Sequence, residues 1–218
     1  MFPGRRALVA ALAVAGFGLL SAGVGGAAAE PNGLDDFAGL RASADSRYAA
    51  DWVIAHSDNQ GRPFAIVDKK GARIFVFSSA GRLLGASPAL LGADRVDRPQ
   101  PRPVADRGTP SGRYASEPGH NLQGEDIVWV DYDAALAIHR LRPARAQERR
   151  AQRLASPTPN DNRISLGCIV VPVAFYETIV RPTLGKSHGV VYVLPETRPV
   201  REMFEAFEDY QLSLRDAP

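Results

Sequence analysis

The chain has 218 residues, 45% hydrophobic and 23% charged, with 20 glycines, 17 prolines and a single cysteine. This is a globular composition, long enough for one domain with a real core. The formal charge is only +2, and Arg5 and Arg6 fall in a segment expected to be removed, so no overall basic balance argues for a nucleic-acid partner.

Residues 1–29 read as a secretory signal. Arg5 and Arg6 form the charged start, Ala7 to Leu20 an apolar run, and Ala27-Ala28-Ala29 a small-residue cleavage site. The apolar run is short against the roughly 20 residues of a spanning helix. The expectation is therefore an exported chain in the periplasm or cell envelope with no stable membrane span after cleavage; a retained anchor is the alternative. In such a compartment a lone thiol, Cys168, points either to intermolecular pairing or to a reactive group.

Residues 30–61 form an N-terminal helical segment, with a helix from Asp35 to about Ala55 that stops at His56-Ser57-Asp58-Asn59-Gln60-Gly61. Phe64–Asp68 and Arg73–Phe77 flank Lys69-Lys70-Gly71 as a β-hairpin, and Arg82–Ala86 extends it to a meander. Ala93 to Arg107 is a Pro-rich loop. Thr109-Pro110-Ser111-Gly112 turns back into structure, and Ile127–Val130 and Ala135–Ile138 are strands, the second closed by His139. Pro143 to Leu154 reads as an Arg-rich helix, with Arg145, Arg149 and Arg153 on one stripe. Val173–Val180 is a short helix, Val190–Leu194 a buried strand, and residues 196–218 hold a terminal amphipathic helix from Glu202 to about Leu212. The sum is a single domain, mainly β with flanking helices (α+β), with no internal repeat.

The chemistry concentrates in Asn162-Arg163-Ile164-Ser165-Leu166-Gly167-Cys168-Ile169-Val170-Val171-Pro172. Thiol nucleophilic catalysis needs an ionisable sulfur, a base and oxyanion donors. Of four histidines, His139 is the candidate base, because it ends a strand with apolar neighbours; His56 and His120 lie in polar loops and His188 in a turn. A buried structural cysteine is the competing reading for Cys168. The aromatics Trp52, Phe75, Phe77, Trp129, Tyr192 and Phe207 read as core. The scattered histidines have no ligand spacing, so no metal and no cofactor is expected.

These residues resemble the L,D-transpeptidase catalytic domain, the YkuD-like fold. Ser165-Leu166-Gly167-Cys168 matches three of four positions of that family's Ser/Thr-His-Gly-Cys motif, and Ala137-Ile138-His139 is similar to its upstream histidine. Gly108-Thr109-Pro110-Ser111-Gly112 resembles its Thr-Pro-x-Gly turn, and the likeness spans residues 62–195. It implies a YkuD-like β-sandwich or barrel with Cys168 as nucleophile, His139 as base, the Arg140 carbonyl orienting the imidazole, and backbone N–H groups at Gly167 and Cys168 as the oxyanion hole. Arg163, Ser165 and Leu166 are the expected substrate contacts. Two departures stand out: Leu166 replaces the motif histidine, and the Arg-rich stretch near 143–155 is an insertion. The implied activity is an exported cysteine L,D-transpeptidase that acts on peptidoglycan stem peptides through a thioester, with an L,D-carboxypeptidase or a non-catalytic wall-binding relative as alternatives. A papain-like enzyme fits worse, since there Cys precedes His in the chain. Arg142, Arg145, Arg149, Arg150 and Arg153 are either a solvated basic face or a site for the carboxylates of such peptides.

Overall fold

The structure is a computed structural model that describes residue 37 and residues 40–97 and 107–215. The expected signal, the expected helix start at Asp35 and Pro99, Pro101 and Pro103 lie outside the described residues. The described residues hold ten strands: β1 (Phe64–Asp68), β2 (Arg73–Phe77), β3 (Leu83–Pro88), β4 (Leu91–Gly92), β5 (Gly112–His120), β6 (Asp126–Asp131), β7 (Leu136–Arg140), β8 (Arg163–Ser165), β9 (Ile169–Val171) and β10 (Gly189–Val193). The helices are α1 (Ala44–Ala55), α2 (Arg150–Ala155), α3 (Val173–Phe175), which runs into a π turn at Tyr176–Val180, and α4 (Val200–Arg215). Among the described residues no helix is long and apolar enough to cross a membrane.

α1 begins later than the sequence periodicity predicts. Ser43 is extended and its Oγ accepts the Ser46 N–H at 3.1 Å, which supplies one of the orphan donors of the first turn. Asp45 adds a favourable charge at the same end.

Eight strands form one sheet in the order β3-β2-β1-β10-β5-β6-β7-β9, and β4 pairs with β8 separately. β1 and β10 are buried along their whole length because the sheet is covered on both faces. Alternation sorts the two faces. Phe64, Ile66, Phe75, Phe77, Val190 and Tyr192 point to one side, where Trp52 and Val53 of α1 and Met203 and Phe204 of α4 pack on them. Phe64 stacks on Phe77 with ring centroids 4.5 Å apart. Smaller residues (Ala65, Val67, Ile74, Val76, Val191, Val193) point to the other side and meet Val128, Ile138, Ile169 and Val171 around Tyr176, Val180 and Leu184. Each large side chain fully buried in this way contributes about 1.5–3 kcal/mol.

β5 joins the halves of the sheet: Gly112 to Ser116 pair with β10, and Glu117 to His120 pair with β6. The two sheet edges also meet. Leu90, just past β3, exchanges both backbone hydrogen bonds with Val170 of β9, at 2.8 and 2.9 Å. The sheet is thereby nearly closed, and the closure carries the Gly167–Cys168 turn against β7.

Candidate active site

β7 and β9 are parallel neighbours, with Ile138 opposite Ile169 and His139 opposite Val170. Ile138 and Ile169 point into the inner core. By alternation His139 and Val170 point outward, where Val170 packs with Leu90, Leu154, Leu141 and Ile164. Cys168 stands one residue before β9, two positions along the chain from the Val170 that lies opposite His139. The register thus brings the histidine and the start of the cysteine-bearing strand onto neighbouring strands.

The imidazole is fixed at one nitrogen. His139 Nδ1 lies 2.8 Å from the Arg140 carbonyl oxygen. In the neutral ring this assigns the proton to Nδ1 and leaves Nε2 as a bare acceptor. Burial pushes the His139 pKa below its ordinary value, and the positive charges of Arg142 and Arg150 push the same way; the Arg140 carbonyl and Glu125 oppose them without prevailing. A neutral imidazole at neutral pH is a competent proton acceptor. The Arg140 guanidinium turns elsewhere, to Glu177 at 3.0 Å and over the Tyr176 ring at 4.7 Å, so its backbone oxygen is what serves the imidazole. Cys168 is half-buried, and its thiol donates to the Ala135 carbonyl at 3.5 Å.

Gly167 has φ +120, a conformation essentially confined to glycine. Its N–H donates to Ser165 Oγ at 3.2 Å, and the Ser165 hydroxyl donates to the Cys168 carbonyl at 2.6 Å. Its own carbonyl accepts the Thr109 hydroxyl at 2.7 Å, while Thr109 Oγ1 accepts the Gly92 N–H at 2.9 Å. Two of the expectations change here. Ser165 is 2% exposed and holds the turn together rather than facing a substrate. The Gly167 N–H, expected to face an oxyanion, is engaged with Ser165. Leu166, by contrast, is 71% exposed beside the thiol, so it is the one member of the expected substrate-contact set that the surface presents.

Arg163 is corrected as well. Its side chain is 9% exposed and faces the fully buried Glu196 carboxylate, with Nη1 3.3 Å from Oε1 and Nη2 close to Oε2; Nη2 also donates to the Lys69 carbonyl at 2.7 Å. A guanidinium spent on a buried partner has no fork left for a substrate carboxylate. The same cluster contains Lys69, which is fully buried and donates to Asp97 at 2.9 Å and to the Thr109 carbonyl at 3.0 Å. Burial lowers the Lys69 pKa, against the pull of Asp97 and Glu196. For Asp97 burial acts upward, but donors from Thr197, Lys69 and the amides of Glu196 and Thr197 outweigh it and hold the carboxyl well below the usual range. Two cations and two anions thus brace Thr109, which in turn holds Gly167. In the sequence Lys69-Lys70-Gly71 reads as an ordinary turn, so this cluster carries no local signal.

The expected Arg-rich helix is broken. Ala146–Glu148 make a 3-10 turn, Arg149 is left-handed (φ 48, ψ 37), and only Arg150–Ala155 are α-helical. Arg145, Arg149 and Arg153 therefore share no stripe. The break is fastened by side chains: Arg150 Nε bonds Glu148 at 2.5 Å, and Arg153 bonds the Glu148 carbonyl at 2.8 Å and the Asp161 carbonyl at 2.7 Å. Trp129, expected in the core, is half-buried, with the exposed Tyr132 edge-on to it at 5.0 Å. The other histidines lie apart from Cys168: His56 binds the Trp52 carbonyl at 2.8 Å, His120 faces Asp126 at 3.4 Å, and His188 sits exposed before β10. No protein-family model matches the chain, and none of the curated proteins is significantly similar to it.

Proposed function

We propose that this chain is a cysteine acyltransferase of the L,D-transpeptidase type, acting on peptidoglycan stem peptides in the cell envelope. The observation that carries the reading is the pairing of β7 with β9, which makes the strand that Cys168 immediately precedes a neighbour of the strand that bears His139, an imidazole whose Nδ1 lies at the Arg140 carbonyl and whose Nε2 is left to accept a proton. The neutral state of His139, favoured by burial, supports a base rather than a standing imidazolium.

The reaction begins when the sulfur turns away from the Ala135 carbonyl. Its proton passes to His139 Nε2 as sulfur attacks the amide carbonyl before the terminal D-alanine. The protonated imidazole then returns that proton to the departing amine, which leaves a thioester on Cys168. An acceptor amine that resolves the thioester makes the enzyme a transpeptidase, and water makes it a carboxypeptidase. For the oxyanion, the Gly167 N–H must be shared with or released from Ser165 Oγ.

A second reading, a non-catalytic wall-binding protein, draws on the same two engaged groups, the thiol on Ala135 and the Gly167 amide on Ser165, and on Leu166 at the position of the family's motif histidine. Incubation with a stem tetrapeptide and mass analysis of products separates them. Release of D-alanine by the wild type and its loss in Cys168→Ala supports the enzyme. Binding without release by the folded wild type supports the wall-binding reading.

A further inference from the structure

Five arginines between 142 and 153 divide into two groups. Arg142 is paired with Glu125 at 2.8 Å, Arg150 with Glu148 at 2.5 Å, and Arg153 is spent on the two backbone carbonyls described above. These three fasten the segment. Arg145 and Arg149 are exposed and form no ion pair with a described residue.

Both unpaired arginines line one recess of about 440 Å³, together with Leu141, Arg142, Arg150 and Gln152, and no acidic side chain lines it. Since Glu125 and Glu148 offset Arg142 and Arg150, the recess keeps two uncompensated positive charges. The recess starts two residues beyond His139, where the Leu141 N–H donates to the Val171 carbonyl at 2.7 Å and so fixes the strand end that carries the imidazole. Arg149 holds its place in a left-handed backbone (φ 48) that costs an arginine about 1 kcal/mol or more. An asparagine or glycine there would relieve that strain, yet the chain has a guanidinium.

We infer that this recess is a subsite for a peptide bearing at least two free carboxylates, with Arg145 and Arg149 as its ligands. It deepens the acyltransfer reading and rests on it only for the identity of the peptide. Each guanidinium presents a planar fork that matches a carboxylate, and carboxylates drawn there bring the attached chain toward the strand end that carries His139. Because the two arginines are exposed, each contact is modest and salt-dependent.

The test is calorimetric titration of the full chain carrying Cys168→Ala, so that no turnover occurs. The probes are a synthetic stem tetrapeptide with its carboxylates free and the same peptide with its side carboxylates amidated. The free peptide is expected to bind about tenfold more tightly than the amidated one at low salt, and Arg145→Gln with Arg149→Gln is expected to erase that difference. Arg149→Gly serves as a second variant, since it removes the guanidinium while relieving the left-handed backbone. Equal binding of the two peptides by the parent, or an unchanged preference in folded variants, overturns the subsite. Acylation of Cys168 by a carbapenem is scored separately on the wild type: an adduct together with charge-blind binding sinks the subsite alone, whereas charge-selective binding without an adduct sinks acyl transfer alone.

Discussion

Replacing Thr109 with valine tests how the cysteine turn is held. Thr109 is fully buried, and its hydroxyl makes two bonds, donating to the Gly167 carbonyl at 2.7 Å and accepting the Gly92 N–H at 2.9 Å. Valine has nearly the same shape, so no cavity opens, but both backbone partners are left unpaired in a dry site. Gly92 has no room to move toward another partner, since even a Cβ there would lie 2.2 Å from the Arg107 carbonyl oxygen. A buried polar group without a partner costs about 1–3 kcal/mol, so the two together come to about 2–6 kcal/mol. For a domain of this size, at about 2–4 °C per kcal/mol, that corresponds to a melting temperature lower by about 4–24 °C. Thr109→Ser keeps both bonds, loses one methyl and should cost about 1 kcal/mol. Calorimetric melts of the two variants decide the matter. Thr109→Val melting within about 2 °C of the wild type would refute the claim that this hydroxyl secures Gly167.

Three further outcomes are expected. Arg163→Met should cost about 3 kcal/mol in urea unfolding because it leaves Glu196 buried with only Lys69 near it, at 3.9 Å; Arg163→Lys should restore little, having no fork, and a loss below about 0.5 kcal/mol would return Arg163 to the list of substrate contacts. Gly167→Ala should destabilise the fold by about 1–3 kcal/mol through its φ of +120 and slow modification of Cys168, both read by melting and by thiol labelling. Burial depresses the His139 pKa, so the folded state binds fewer protons than the unfolded one: His139 favours folding fully above pH about 6.5 and loses that contribution as pH falls from there toward its lower folded value. The stability gap between wild type and His139→Gln should therefore narrow between pH 7.5 and 5, with the other histidines common to both; a gap that stays constant contradicts a buried neutral imidazole.

Strands with strong alternation or continuous β-branched runs were legible in the sequence: β1, β2, β3, β6, β7 and β10 lie within a residue or two of where periodicity places them. β5 was not, because its second half, Glu117-Pro118-Gly119-His120, faces outward and carries no apolar pattern. It pairs nonetheless, and Gly119 is flat enough for the Trp129 ring to lie over it, a Cβ there meeting the ring at 2.4 Å. The broken Arg segment misled for a different reason. Its residues are strong helix formers, but Arg150 and Arg153 both close on Glu148, and those local side-chain bonds accompany the left-handed turn at Arg149. His139 and Cys168 stand out in the sequence because a strand-end histidine and the chain's single cysteine are local features. The brace behind them does not, since Lys69, Asp97, Thr109, Arg163 and Glu196 come from five separate segments and meet only after folding.

Whether His139 takes the Cys168 proton for attack on an acyl group is read from the rate at which a carbapenem acylates the intact protein, followed by mass. A single adduct on Cys168 is expected in the wild type, with a rate lower by about 10²- to 10⁴-fold in folded His139→Ala. Equal rates in the two proteins, or no adduct on the folded wild type, would contradict it.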